Sequence, residues 1–524
     1  MAFLAQLKGS LQSRKKYIDT VAPAVSGVGK GISLTNSQGR TKFYSFNDFK
    51  EKSKTGFCGL KNQGATCYLN SLLQALYFTP GFRENVYTWR YNVELHPPRE
   101  NCPMFQLQKL FAEMQLSDKA AVSTLGLTKS FGWVDREAFQ QQDVQEMKGA
   151  ILQILETSSE ALYNYINTEL TGRYISYISF IGTEYSRERI EEFKDVQLTI
   201  KGLKSVEEAF QIYIEPEIMN GDNQIECEQL GGKADAHKGI KFSNLPNTLT
   251  LQLRRFEMDW VRMCQVKLAD AVTIPLSLNM AEYVSSSDDS EADWHYDLYA
   301  VCVHSGSAMG GHYFSYMRQV SVEDSEAEKT DGKKSHSKWY NFNDATVTEL
   351  VPEMLDRVLG GSGNDHKKGQ QKEGKNKEVG NESKTKESKT TEQSTATCKS
   401  ELKLVKSSSN AYMLMYHRRS AVSRSISSSA TLVSSIPKEM VAEIHANNIE
   451  YTANKLEFNE KQDTYSLRIF QQDSNKDSTT TTTTIGYKTI HINCHKTMYD
   501  LQQEVLNVIN TTASTSATTA TTAT

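Results

Sequence analysis

The chain has 524 residues, with 59 Lys and Arg against 63 Asp and Glu and a formal charge of −4. At roughly 100 to 200 residues per domain it can hold two to four units with a sizeable core. Without a basic excess it has nothing to neutralise a nucleic-acid backbone or an anionic membrane, so its expected partners are proteins.

Residues 1–54 mix Gly, Ser and Lys without sustained periodicity and are expected to be a flexible N-terminal extension. In "GVGKGIS" the residue Gly31 stands where a phosphate loop needs Ser or Thr for magnesium, so no nucleotide site is read there. The opening "MAFLAQLKGSLQSRKK" is too short and interrupted in its apolar run for a secretory signal, and its basic bias only weakly resembles a transit peptide. Nowhere do 18 apolar residues follow one another. The eight cysteines are scattered, with no C-x-x-C pair, which suits a reducing compartment. A soluble protein of the cytoplasm or nucleus, without membrane or nucleic-acid partners, is expected.

From residue 56 to about 166 helical spacing dominates, as in "PMFQLQKLFAEMQL" and "QQDVQEMKGAILQILETS". From about 170 to 350 the pattern changes to short runs rich in β-branched and aromatic residues, such as "RYISYISFIG", "TLTLQL" and "HYFSYMRQV". Two polar stretches, 321–336 and 361–400, contain almost nothing to bury and are expected as disordered loops. After "AYMLMYHRR" comes a Ser-rich linker at 420–435, and then "TYSLRIF", "YKTIHINC" and "TMYDLQQEVLNVI" read strand, strand, helix. The Thr- and Ala-rich tail 511–524 cannot pack.

Within this layout "GLKNQGATCYLNSLLQALYF" places Cys67 where a small-residue loop meets an amphipathic helix, its apolar positions Leu72, Leu73, Leu76 and Tyr77 on one face. A helix N-terminus supplies about 0.3 to 1 kcal/mol, whereas one pKa unit costs about 1.36 kcal/mol, so position alone lowers a thiol pKa by roughly a unit. A nucleophilic Cys67 therefore needs an imidazole partner. Among the 11 histidines, His312 in "HSGSAMGGHYFSYMR" has the most suggestive setting, because Gly310 and Gly311 let a loop approach a ligand backbone. Farther on, "KWYNFND" offers Asn343 and Asp344, either able to orient the ring. Nothing in the spacing proves that residues so far apart meet.

Six stretches, "GLKNQGATCYLNSLLQ", "SFGW" with "QQDVQE", "LTLQLRRF", "HSGSAMGGHYFSYM", "WYNFND" and "NAYMLMY", stand in the order of the boxes of the ubiquitin-specific protease family. Residues 56–417 resemble its catalytic domain, nearest the branch of ubiquitin carboxyl-terminal hydrolases forty and forty-seven. The resemblance implies an α+β, papain-like hand over 55–419: a helical thumb (56–165), antiparallel β fingers (166–248) and a β-rich palm (249–417), with a disordered insert at 358–408. It implies that Cys67 is the nucleophile, His312 the base, Asn343 the ring orienter with Asp344 beside it, and Asn62 the oxyanion donor. Asp143 and Glu146 would bind the basic tail of ubiquitin, and Gln74, Arg255, Phe256, Gly310, Gly311 and Tyr313 would line its channel. The activity implied is hydrolysis of isopeptide and peptide bonds after the C-terminal glycine of ubiquitin, by a monomer without a cofactor acting on ubiquitinated proteins.

Many relatives hold zinc at the fingertips with two C-x-x-C pairs. Here those four places carry Phe180, Thr183, Cys227 and Leu230, and one thiolate cannot build a tetrahedral site, so no metal is expected. Gln142 stands where the branch usually has His. Residues 436–510 resemble the start of a ubiquitin-like domain but stop before its later strands, as in a truncated gene product. Two alternatives stay open: a ubiquitin-binding scaffold with a dead site, against which intact Cys67, His312 and Asn62 argue, and a protease for another ubiquitin-like modifier.

Overall fold

The computed structural model describes residues 17–19, 32–35, 39–133, 143–284, 294–319, 338–350, 406–408, 410–421, 429–462, 464–472, 485–493, 500 and 503. The polar stretch 321–336, the stretch 361–400, the tail 511–524 and Gln142 lie outside them. The chain divides into a larger unit, Lys52–Ile444, and a smaller one made of Met1–Glu51 and His445–Thr524.

The larger unit is helical in its first part. Helices Cys67–Phe78, Phe82–Thr88, Pro103–Leu116, Leu125–Ser130, Val144–Ser158 and Glu160–Tyr165 follow one another, and the strand Gly59–Lys61 ahead of the first pairs in parallel with Ala121–Ser123 between the third and fourth. Two of them start for a local reason. Pro103 opens its helix at the first turn, where the missing N–H costs nothing, and Asp143 caps Val144–Ser158 by accepting from Gln145 N at 2.7 Å. The helix Cys67–Phe78 departs from the amphipathic expectation, since every residue from Cys67 to Tyr77 is buried. It is a core helix packed on all sides, and its polar side chains must find partners inside.

The second part is built on sheets. An eight-stranded sheet runs Thr346–Leu350, Trp339–Asn343, Gly310–Arg318, His295–Ser307, Ala411–Arg418, Thr248–Arg254 and Val196–Thr199, with Ser277–Asn279 also paired to His295–Ser307. Its neighbours are antiparallel except Thr248–Arg254 with Val196–Thr199, which are parallel. Side-chain alternation gives the sheet two apolar faces. Met413 and Met415 join the helical core, while Leu414 and Tyr416 join a second core containing Val206 and Phe210 of the helix Val206–Ile214. A separate four-stranded antiparallel sheet, ordered Ser186–Phe193, Gly172–Phe180, Ala236–Asn244 and Glu217–Met219, stands beside the hairpin Ile225–Cys227 and Gly232–Ala234. The boundary expected at 248 is therefore not a sheet boundary, because Val196–Thr199 and Val206–Ile214 already belong with the larger sheet. The far end of the expected insert 358–408 also differs: Lys406–Ser408 is a strand paired with Val272–Ile274.

The smaller unit corrects the reading of both termini. Inside the expected flexible extension, Ile32–Thr35 and Thr41–Tyr44 form a hairpin, and Leu34 and Phe49 are buried with Tyr451 and Phe458. Four scattered apolar residues from distant segments carry no periodicity, which is why 1–54 reads as extension. The expected linker contains the helix Ser429–Ser435, and a 25-residue helix, Lys438–Gln462, precedes the strand pair. Its Met440 and Ile444 join the helical core of the larger unit, and its Tyr451 and Phe458 belong to the smaller. The strands Thr464–Gln472 and Ile485–Asn493 pair antiparallel as read, and Tyr17–Asp19 adds a third strand beside the first.

Candidate active site

The loop before Cys67 is shaped by a close approach of two backbones. Leu60 N donates to Asp344 O at 2.9 Å, and a Cβ on Gly59 would stand 2.6 Å from the carbonyl carbon of Ala345, so only glycine fits. The chain then folds around the Asn62 side chain, whose Oδ1 accepts from Gly64 N at 2.8 Å and Thr66 N at 3.2 Å, with Gly64 at φ +132°. Thr66 is the N-cap and Cys67 the first helical residue, so its N–H is one of the donors that a helix start leaves without an internal partner.

Cys67 is 4% exposed, and its Sγ accepts from Tyr313 N at 3.4 Å. Burial pushes the thiol up. The Tyr313 N–H draws it down, the charge of Asp344 pushes it up again, and the N–H groups of Tyr68 and Cys67 draw it down, the net displacement being upward. The sulfur is therefore a neutral thiol at neutral pH, and the helix start alone does not ionise it.

His312 sits on Gly310–Arg318, between His295–Ser307 and Trp339–Asn343. Its Nε2 donates to Asn343 Oδ1 at 2.7 Å. An amide oxygen can only accept, so in the neutral ring Nε2 carries the proton and Nδ1 keeps the lone pair that can take the proton of a thiol. Asp344 follows at φ +48°, in the two-residue turn between Asn343 and its partner Thr346. Its Oδ2 accepts from Asn62 Nδ2 at 2.9 Å and its Oδ1 from Asn70 Nδ2 at 2.7 Å. The two neighbouring residues thus divide the work: Asn343 orients the imidazole, and Asp344 holds Asn62 and ties the helix of Cys67. One N–H of the Asn62 amide is used on Asp344; the other, with Cys67 N–H, can meet an oxyanion.

The remaining residues named from the sequence fall into two groups. Asp143 accepts from Tyr412 Oη, which itself accepts from Gln252 Nε2 at 2.6 Å, and Glu146 is exposed on the same helical turn. The rings of Phe256 and Tyr313 lie 5.3 and 4.6 Å from that of His304, and 5.6 and 5.9 Å from that of Tyr412. Gly310 and Gly311 are exposed at the end of the His312 hairpin, where a Cβ on Gly311 would stand 2.4 Å from Ser305 O. Gln74 and Arg255 lie behind this surface. Gln74 is buried and donates to Cys58 O at 2.9 Å, while Arg255 is fully buried on the carbonyls of Ala411, Leu268 and Asp270. Both brace the wall from within.

Sequence reasoning passed over His304 and also Asn70, Gln252 and Tyr412, although these last three are polar residues inside strongly apolar runs, where burial calls for the partners they have. His304 is pushed down to about 4 by burial, then by the charges of Lys267 and His312, and stays neutral. At the tip of the four-stranded sheet, Phe180 and Cys227 are buried with Ala236, and Ile178, Tyr185, Ile225 and Ala234 pack around them. The rings of Phe180 and Tyr185 stack at 5.7 Å with Arg187 over them. Among the described residues no group of three or more His, Cys, Asp or Glu is placed to hold a metal ion.

Residues 58–416 match the family described as ubiquitin carboxyl-terminal hydrolase. Ubiquitin carboxyl-terminal hydrolase 47 of Homo sapiens is 34% identical over 395 residues, covering 64% of this chain and 28% of that protein. Ubiquitin carboxyl-terminal hydrolase 15 of Schizosaccharomyces pombe is 36% identical over 330 residues, covering 62% and 28%. Ubiquitin C-terminal hydrolase 13 of Arabidopsis thaliana is 38% identical over 327 residues, covering 61% and 28%. The chain thus spans under a third of the length of these curated relatives. The family match takes in more than half of the chain and every residue of the site, and on that ground the chain belongs to the ubiquitin carboxyl-terminal hydrolase family.

Proposed function

We propose that the chain is a thiol-dependent deubiquitinase that hydrolyses isopeptide and peptide bonds after the C-terminal glycine of ubiquitin through an acyl-enzyme on Cys67. The observation that supports this reading is a set of bonds between distant segments: Cys67 Sγ accepts from the N–H of Tyr313, the residue after His312, His312 bonds Asn343, and Asp344, the residue after Asn343, bonds Asn62 and the Cys67 helix through Asn70. In the first half-reaction the thiol proton passes to His312 Nδ1 as sulfur attacks the glycine carbonyl carbon. The oxyanion meets Asn62 Nδ2–H and Cys67 N–H. The tetrahedral intermediate collapses, the C–N bond breaks, and the imidazolium gives its proton to the departing lysine amine. Water then gives a proton to the ring as its oxygen attacks the thioester carbon, and cleavage of the C–S bond returns the thiol and releases the ubiquitin carboxylate.

In this reading the helices 56–165 are the thumb, the four-stranded sheet the fingers that carry the body of ubiquitin, and the larger sheet the palm. The tail passes Phe256, Tyr313 and Tyr412 and runs beside Gly310 and Gly311, where two terminal glycines leave no room for side chains. Asp143 and Glu146 meet its basic residues, and Gln74 and Arg255 stiffen the wall. The enzyme works as a monomer without a cofactor in the cytoplasm or nucleus, a placement supported by free thiols at Cys58, Cys67, Cys102, Cys227, Cys264 and Cys302. No described helix is long and apolar enough to cross a membrane. Incubation with ubiquitin bearing a thiol-reactive C-terminal group, beside matching probes for other modifiers, tests the reading. A covalent adduct on Cys67 with the ubiquitin probe is expected, and labelling by another modifier alone would overturn it.

A further inference from the structure

The helix Val144–Ser158 buries a stripe made of Val144, Met147, Lys148, Ile151, Leu152 and Leu155. The spacing asks for an apolar residue at each of these places, yet Lys148 is a cation and is 2% exposed. A buried ammonium normally meets a carboxylate, because its desolvation costs several kcal/mol. The hydrogen-bond partner of Lys148 is instead a backbone carbonyl, Lys194 O, at 2.6 Å. Burial draws its pKa down to about 8 against the upward pull of Asp195.

Two more bonds join the same helix to the same short segment. Gln145 Nε2 donates to the Asp195 carboxylate oxygens at 3.2 and 3.3 Å, and Lys194 Nζ pairs with Glu156 Oε1 at 2.7 Å. Residues 194 and 195 form the joint between strand Ser186–Phe193 of the four-stranded sheet and strand Val196–Thr199 of the larger one. The helix begins at the cap residue Asp143 and carries Glu146 in its first turn. A bond from its fifth residue ties this helix to the joint between the two sheets.

We propose that Lys148 is a positioning residue for the acidic pair: by holding Lys194 O it fixes the rotation of the helix that presents Asp143 and Glu146, and so sets the affinity for the basic tail of the substrate. The inference rests on the deubiquitinase reading. Replacing a buried charge by an apolar side chain of similar volume is often neutral or stabilising. A lysine kept for the fold alone would therefore not be missed, whereas one kept for position would be.

The test is Lys148→Met, assayed on a ubiquitin C-terminal fluorogenic amide and on the same amide with the basic side chains of the tail neutralised. The expected result is KM raised about fivefold or more on the first substrate, kcat within about twofold, and Tm at pH 7 equal or higher. On the neutralised substrate the KM values of variant and wild type should coincide. An unchanged KM on the first substrate overturns the inference, and so does a joint fall of kcat and Tm, which marks a purely structural lysine. If Lys148→Met does not fold, Gln145→Leu removes the neighbouring bond from the helix surface and must show the same split of KM from kcat. Wild-type protein that leaves the amide uncleaved overturns the deubiquitinase reading itself, and this inference with it.

Discussion

At the scale of single residues, the burial of Cys67 sets what its thiol does before substrate arrives. Its pKa lies above the ordinary thiol value, so thiolate grows with pH and does not preexist as an ion pair. Alkylation of Cys67 by iodoacetamide should therefore still be climbing with pH beyond the ordinary thiol pKa of about 8.5. A rate already flat between pH 6 and 8 would refute the neutral thiol. Burial also pushes Cys58 up to about 11 and Cys302 up to about 12. These thiols keep their protons in the fold after the unfolded chain has lost them, so their contribution to stability is intact below about pH 8.5 and is lost as pH rises beyond it. Asn343 and Asp344 separate in another way. Asn343→Ala removes the acceptor of His312 Nε2 and should cost about 2 to 4 kcal/mol in transition-state stabilisation with Tm preserved. Asp344→Ala frees the amides of Asn62 and Asn70 together, and Asn70 is buried, so kcat and Tm should fall together. The check is kcat/KM on a ubiquitin C-terminal amide beside thermal melts of both variants; a silent Asn343→Ala with Asp344→Ala as damaging as His312→Ala would exchange the two roles.

Among the elements, the tip of the four-stranded sheet shows how one structural problem is met by packing. The strands there are short, and a hairpin of three-residue strands has little stability of its own. Phe180, Cys227 and Ala236 supply a small apolar core, and the Phe180–Tyr185 stack under Arg187 closes its side. Excess EDTA should leave both Tm and turnover unchanged, whereas Phe180→Ala should lower stability by about 3 to 5 kcal/mol, the usual loss for a buried aromatic ring. Stoichiometric zinc released together with activity would show that a metal shares this work. The larger sheet carries a different sensitivity. Burial draws His417 down to about 4, and its Nδ1 lies 3.2 Å from Thr248 Oγ1 on the neighbouring strand. The unfolded chain takes up this proton near pH 6.5 and the fold does not, so stability is present above about 6.5 and is lost as pH falls toward 4. The urea midpoint should decline over that window, and His417→Gln should flatten the decline.

For the whole molecule, what could be read from the sequence followed from how locally each feature is encoded. The order of a helical part followed by a sheet-rich part was legible, because periods of 3.6 and 2 are written in consecutive residues. Cys67 at a helix start and His312 behind two glycines were legible for the same reason. The bonds of Asp344 to Asn62 and Asn70, and of Lys148 to Lys194 O, join residues far apart in the chain, and no local pattern records them. The smaller unit is the extreme case: its core is assembled from Leu34 and Phe49 near one end and Tyr451 and Phe458 near the other, with Phe49 and Phe458 ring centroids 4.9 Å apart. Each segment alone carries too few apolar residues to fold. This discontinuity makes a prediction about truncation. Removing residues 1–51 uncovers Tyr451 and Phe458, and removing the chain after residue 462 takes away the strand partner of Tyr17–Asp19 but leaves the aromatic cluster whole. The N-terminal deletion should therefore bind more of a hydrophobic dye and be cleaved by protease within 445–462, while the C-terminal deletion keeps that helix protected. Both should retain turnover of the ubiquitin amide, since Cys67, His312, Asn343 and their supports all lie within Lys52–Ile444. Equal protection of 445–462 in the two deletions would mean that the helix is stable without Leu34 and Phe49, and that the smaller unit is not held together by this cluster.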